Sequence, residues 1–118
     1  MRLSEVDFGA AQPIEGYGPD FFRIGGEAHT APLVVVPGEV RAWGGYEDAE
    51  TLLALAGRVD VLFIGTGAEI AHIPAGLRTR LEEAGLGVEI MDSAAACRTY
   101  NVLLSEARRV AIALLPVG

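Results

Sequence analysis

The chain has 118 residues and a formal charge of −7, with 51% hydrophobic and 21% charged residues. That length and balance predict one domain, residues 1–118, able to bury a core without metal or disulfide. Its nine basic residues are all arginine and form no run longer than Arg108-Arg109, which speaks against binding nucleic acid through phosphates.

Cys97 is the only cysteine, so an internal disulfide is impossible and a reducing compartment is expected. The opening "MRLSEVDFGAAQPIEGYG" carries Glu5 and Asp7 and lacks a continuous apolar segment, so no signal peptide is expected. The longest apolar runs, "LVVV" and "VAIALLPV", fall far short of a membrane span. A soluble, cytoplasmic chain is the expectation.

In chain order, "FFRIGGEAH" reads as a strand reaching a Gly25-Gly26 turn, and Pro32 opens "LVVV", an apolar run suited to a buried strand. Pro37-Gly38 signals a turn before the alternating "EVRAW". Ala49, Leu52, Leu53 and Ala56 share one helical face, which predicts a helix from Glu47 to Ala56 with Gly57 as its stop. "VDVLFIG" reads as a buried strand. Pro74 suits the first turn of a helix whose Leu77, Leu81 and Ala84 share a face, and Gly85 ends it. "GVEIM" is a further strand. Asp92 or Ser93 can cap the next helix, which is expected to run to about Arg108 before the final strand, "VAIALL".

From Val59 onward the order is strand, helix, strand, helix, strand. It predicts an α/β fold with a parallel or mostly parallel core sheet and a C-terminal β-α-β-α-β unit. The leading strands are expected to pair beside this sheet or to flank it, giving a mixed central sheet.

Ligands of open α/β sheets bind outside the carboxyl ends of the parallel strands. Gly65-Thr66-Gly67 and Met91-Asp92-Ser93 follow two such ends, and they make the candidate pocket. "GTGAEI" lacks the third glycine of a dinucleotide loop, with Ile70 in its place, so it reads as a structural turn. His29 and His72 are scattered and offer no metal spacing with one cysteine; no cofactor or metal is expected.

The remaining candidates crowd the start of the last helix. Cys97, beside Arg98 and near a helix N-terminus, has the setting of a low-pKa thiol. Its spacing to Tyr100 and Leu104 instead suits a small residue packed under the helix, the reading favoured because no histidine stands near it as a base. Arg98 could hold an anion or pair with a carboxylate. Tyr100, Leu103, Leu104 and Ala107 form the expected core stripe, with the Tyr100 hydroxyl satisfied at its edge. Arg98, Thr99 and Asn101 are expected to hydrogen-bond the loops at the strand ends, including Gly65-Thr66-Gly67.

"LFIGTG" followed by "GVEIMDSAAACRTYNVLLSEARRVAIALLP", with "YGPDFFRIGG" and "VVVPGEVRAW" before them, resembles the Mth938-like domain family of unknown function, DUF498. The specific part is A-x-x-T-Y-N, here Ala96 to Asn101, and the likeness spans essentially the whole chain. Where Ser93 stands the family pattern usually has threonine, so the hydroxyl is kept. The resemblance implies a three-layer α/β fold with a mixed central sheet and no established enzyme activity. It also implies, through mitochondrial complex I assembly factor three, protein partners such as respiratory-complex subunits.

Two functions follow. One is a non-catalytic binding or assembly protein; the other is a small-molecule-binding protein or enzyme with its pocket between the Thr66 and Ser93 loops. A deep pocket walled by Arg98, Thr66 and Asp92 would favour the second. Side chains tied to backbone would favour the first.

Overall fold

The computed structural model describes residues 12–118. Three short strands open it: β1 (Ile14–Tyr17), β2 (Phe21–Ile24) and β3 (Glu27–Thr30), in one antiparallel sheet. Gly25 and Gly26 join β2 to β3 with φ of 61° and 81°, the left-handed pair that a two-residue hairpin turn requires. A second hairpin, β4 (Leu33–Val36) and β5 (Glu39–Ala42), is followed by a short helix α1 (Ala49–Leu53). Then come β6 (Val61–Gly65), α2 (Ala75–Glu83), β7 (Gly87–Met91), α3 (Ser93–Ser105) and β8 (Val110–Leu114).

The larger sheet has the order β5-β4-β8-β6-β7. β6 lies parallel to both β7 and β8, whereas β4 is antiparallel to β5 and β8. The central sheet is therefore mixed. Both arrangements expected for the leading strands occur, since β4 and β5 extend this sheet while the first three strands flank it.

The two crossovers run in opposite directions, β6 to β7 outward and β7 to β8 back across β6. Right-handed crossovers that reverse direction place their helices on opposite faces of the sheet. The packing agrees. On one face Val34, Leu62 and Ile64 meet Leu52 of α1 and Leu77 and Leu81 of α2. On the other, Leu33, Val35, Phe63 and Ile112 meet Ala96, Cys97 and Tyr100 of α3, with Ile14 and Phe22 of the small sheet. These are the three layers.

Two helix boundaries differ from expectation, each for a local reason. The helix expected from Glu47 starts only at Ala49, because Asp48 is its cap: the carboxylate accepts from the Thr51 amide at 3.2 Å and from the Thr51 hydroxyl at 2.7 Å. It ends at Leu53, and the chain then turns through an isolated bridge between Ala56 and Val59. The last helix stops at Ser105 rather than near Arg108. Ala107 there adopts φ 61°, while the Arg108 amide donates to the Leu103 carbonyl at 3.0 Å and the Ala107 amide to the Leu104 carbonyl at 3.0 Å. That is the Schellman pattern, normally marked by glycine. Alanine in the glycine position hid the stop. It also leaves Ala107 exposed beyond the helix, outside the expected core stripe.

Candidate functional site

β6 is followed by a helix on one face and its neighbour β7 by a helix on the other, so the carboxyl ends of these two strands form the topological switch point. This is where open α/β sheets place ligands. Here the two loops are joined to each other. The Thr66 amide donates to the Met91 carbonyl, the Ser93 amide to the Gly67 carbonyl, and the Gly67 amide to Ser93 Oγ, each at 2.9 Å. Ser93 Oγ donates in turn to the Leu115 carbonyl at 2.9 Å, and Ser93 is wholly buried. One hydroxyl thus ties three chain segments.

Gly65 makes the approach possible. A Cβ on it would lie 2.8 Å from Ser93 Cα, Ser93 Oγ and Leu114 Cδ2, closer than real atoms pack. Thr66 is spent as well: its hydroxyl donates to the Glu69 carbonyl at 2.7 Å and accepts from the Ala71 amide at 3.1 Å, holding the following loop in a turn. Asp92 is the cap of α3, accepting from the Ala95 amide at 2.8 Å. Ser93, by contrast, is the first helical residue and points back into the sheet. The space between the Thr66 and Ser93 loops, expected as the alternative pocket, is filled by these bonds.

Further along α3, Asn101 matches the backbone of β1 as a strand would. Its Oδ1 accepts from the Ile14 amide and its Nδ2 donates to the Ile14 carbonyl, both at 2.9 Å. Asn101 therefore reaches the small sheet rather than the Gly65-Thr66-Gly67 loop, and Ser93 makes the tie to that loop. Among the described residues the Arg98 and Thr99 side chains make no hydrogen bond, with Arg98 exposed and Thr99 half-buried.

Tyr100 is fully buried in the layer between α3 and the central sheet, and its hydroxyl has no hydrogen-bond partner among the described residues. The expected edge partner is therefore not found among the described residues, because the ring lies deep in an apolar cluster. Burial pushes its pKa well above the ordinary tyrosine value, with Cys97 adding to the rise. Burial likewise pushes the Cys97 thiol up to about 12, Arg98 offsetting only part of it, so the protonated form prevails at neutral pH. A thiol held protonated is a poor nucleophile.

No group of three or more His, Cys, Asp or Glu side chains that could hold a metal occurs among the described residues. His29 lies half-buried in β3 and His72 is exposed in the loop before α2, so the structure does not bring them together with Cys97. Sequence reasoning named Gly65 as part of a loop but missed its close approach to Ser93, and it missed Ile14. A small residue ending a buried strand was a signal for the first; nothing in the sequence signals a side chain that borrows the backbone of a strand 87 positions away.

The family of proteins of unknown function DUF498/DUF598 matches residues 14–115. The chain belongs to that family. An uncharacterized protein of Rhodobacter capsulatus is 51% identical over 99% of this chain and 94% of its own length. NADH dehydrogenase [ubiquinone] 1 alpha subcomplex assembly factor 3 of Xenopus tropicalis is 34% identical, over 87% of this chain but only 60% of its own length. Among solved structures, a Bartonella henselae protein described as an outer membrane protein superposes with a TM-score of 0.83 at 34% identity, covering 92% of this chain and 97% of that one. A Mth938-like domain from Bordetella pertussis gives a TM-score of 0.79 at 28% identity, covering 100% of this chain and 94% of that one. No helix among the described residues is long and apolar enough to cross a membrane.

Proposed function

We propose that this DUF498 member is a non-catalytic binding protein that assists the assembly of a respiratory NADH dehydrogenase-type complex by contacting its subunits. The observation that carries the reading is the closed switch point. The place where this fold class keeps its chemistry is occupied by backbone and by the Ser93 hydroxyl, and burial pushes the pKa of the Cys97 thiol up. The candidate cluster from Asp92 to Asn101 then serves chiefly to fasten layers, with Ser93 and Asn101 as its working members. Relatives named as assembly factors of NADH dehydrogenase support the choice of partner class.

The test is deletion of the gene in its source organism, followed by native gel analysis of the NADH dehydrogenase complex. Accumulated subcomplexes, cleared by re-expression of the Cys97→Ala chain, are the expected result. A normal complex, or rescue that requires the thiol, would overturn the reading.

A further inference from the structure

β7 is the outer strand of the central sheet, paired among the described residues only with β6. Its ladder to β6 uses the Gly87 amide, which donates to the Asp60 carbonyl, and the Met91 carbonyl, which accepts from the Thr66 amide. Backbone groups alternate sides along a strand, so those of Val88 and Ile90 point away from the sheet. Arg78 confirms the direction, donating from Nη2 to the Val88 carbonyl at 3.4 Å from outside. Among the described residues the Val88 amide and both backbone groups of Ile90 are left on the open edge.

Beside this edge runs a groove of about 440 Å³, lined by Ile70, Ile73, Ala75, Arg78 and the half-buried Ile90. Ile70 is 66% exposed, an unusual position for a large aliphatic side chain. On the opposite face of the same strand Glu89 is exposed. At the other edge of the sheet, β5 carries a paired Glu39 and Arg41, the charged protection that edge strands ordinarily show.

We infer that the β7 edge is a docking site for an extended segment of a protein partner, added as a sixth strand. The segment alternates apolar with basic side chains, its apolar residues in the Ile70–Ile73–Ile90 groove and its basic residues beside Glu89. The open backbone selects a strand, because only a strand supplies donors and acceptors at the matching spacing. The groove and Glu89 lie on opposite faces, which selects the alternation. The chain's net charge of −7 favours a basic occupant and disfavours a second copy. A two-fold pairing centred on the strand would also set Glu89 against Glu89.

This inference deepens the assembly reading and rests on it. The probe is a blocked heptapeptide alternating valine with arginine, titrated into the isotope-labelled chain. Expected are resonance shifts at Ile70, Ala75 and Ile90, and slower exchange of the Val88 and Ile90 amides. Ala75 is exposed in the groove, so Ala75→Trp should fill it without unfolding the chain and weaken binding about tenfold or more. A peptide of the same composition with its valines grouped at one end should bind about as weakly. Shifts elsewhere, equal binding of the grouped peptide, or indifference to Ala75→Trp would overturn the proposal. So would Val88 and Ile90 amides already protected without peptide: in dilute solution that would mean the chain's own residues fill the edge, and protection rising with concentration would mean a second copy. Complementation separates this from the parent reading. If Ala75→Trp restores NADH dehydrogenase assembly as fully as the parent chain, the edge proposal fails while the assembly reading stands. If the parent chain itself has no effect on assembly, it is the assembly reading that has failed.

Discussion

Tyr100→Phe should stabilise this protein, against the usual sign for a change at a fully buried position. The substitution keeps the ring, and with it the contacts among Phe63, Ile112 and Leu114. It removes only a hydroxyl that is buried without a partner among the described residues. Burying an unpaired hydroxyl costs about 1–3 kcal/mol, and that cost disappears with the group. Unfolding entropy for a chain of this size is about 0.25 kcal/mol/K, so each kcal/mol recovered should raise the melting temperature by about 4 °C. Thermal scans combined with urea titrations measure this, and an unchanged urea slope would show that the gain lies in the folded state. A Tyr100→Phe protein less stable by about 1 kcal/mol would mean that the hydroxyl is bonded, through buried water for example. The account of the layer between α3 and the sheet would then be wrong.

Asn101→Ala should cost about 1–3 kcal/mol, because both backbone groups of the buried Ile14 lose their partner; an unchanged melt with unchanged Ile14 amide exchange would refute the tie between α3 and β1. Ala107→Gly should gain about 1 kcal/mol by relieving a left-handed alanine at the end of α3, read as a rise in the urea midpoint. Stability should also fall at alkaline pH. The folded Cys97 thiol titrates at about 12 against an ordinary 9.0, so the unfolded chain loses its proton first. The thiol's contribution is complete below pH 9.0 and declines as pH rises toward 12, by up to about 1.4 kcal/mol per pH unit. Cys97→Ala should flatten that decline in urea midpoints collected on either side of the ordinary thiol value, and an identical slope would show that the thiol is not held protonated.

The β-α-β-α-β unit was legible because its signals are local. Apolar runs of strand length, a proline at the start of α2 and Gly85 at its end mark their elements within a few residues. Gly25-Gly26 marked the first turn in the same way, since two left-handed residues in succession demand glycine. What stayed hidden depends on side chains that do unexpected work. Alanine took the glycine position after α3, so the helix read as longer than it is. Asp92 and Ser93 both read as possible caps; Asp92 fills that role and leaves Ser93 free to join Gly67 to Leu115. The density of polar residues from Asp92 to Asn101 was visible; the assignment of each bond required three-dimensional neighbours.

That assignment bears on function through the switch point. An α/β sheet whose strands splay their loops leaves a crevice, and the crevice is where a ligand finds backbone donors and helix ends. In this chain Gly65 lets α3 sit so close that the two loops bond directly to each other, and Ser93 fixes it there. The Thr66, Gly67 and Ser93 amides are spent on the bonds between the two loops. On the proposed reading recognition uses the outer surface, where among the described residues the Val88 amide and the Ile90 backbone pair with no other strand, next to an apolar groove. Closing the interior site and leaving a strand edge open are complementary features of one sheet. Together they are the features on which the proposed binding of an extended partner segment rests.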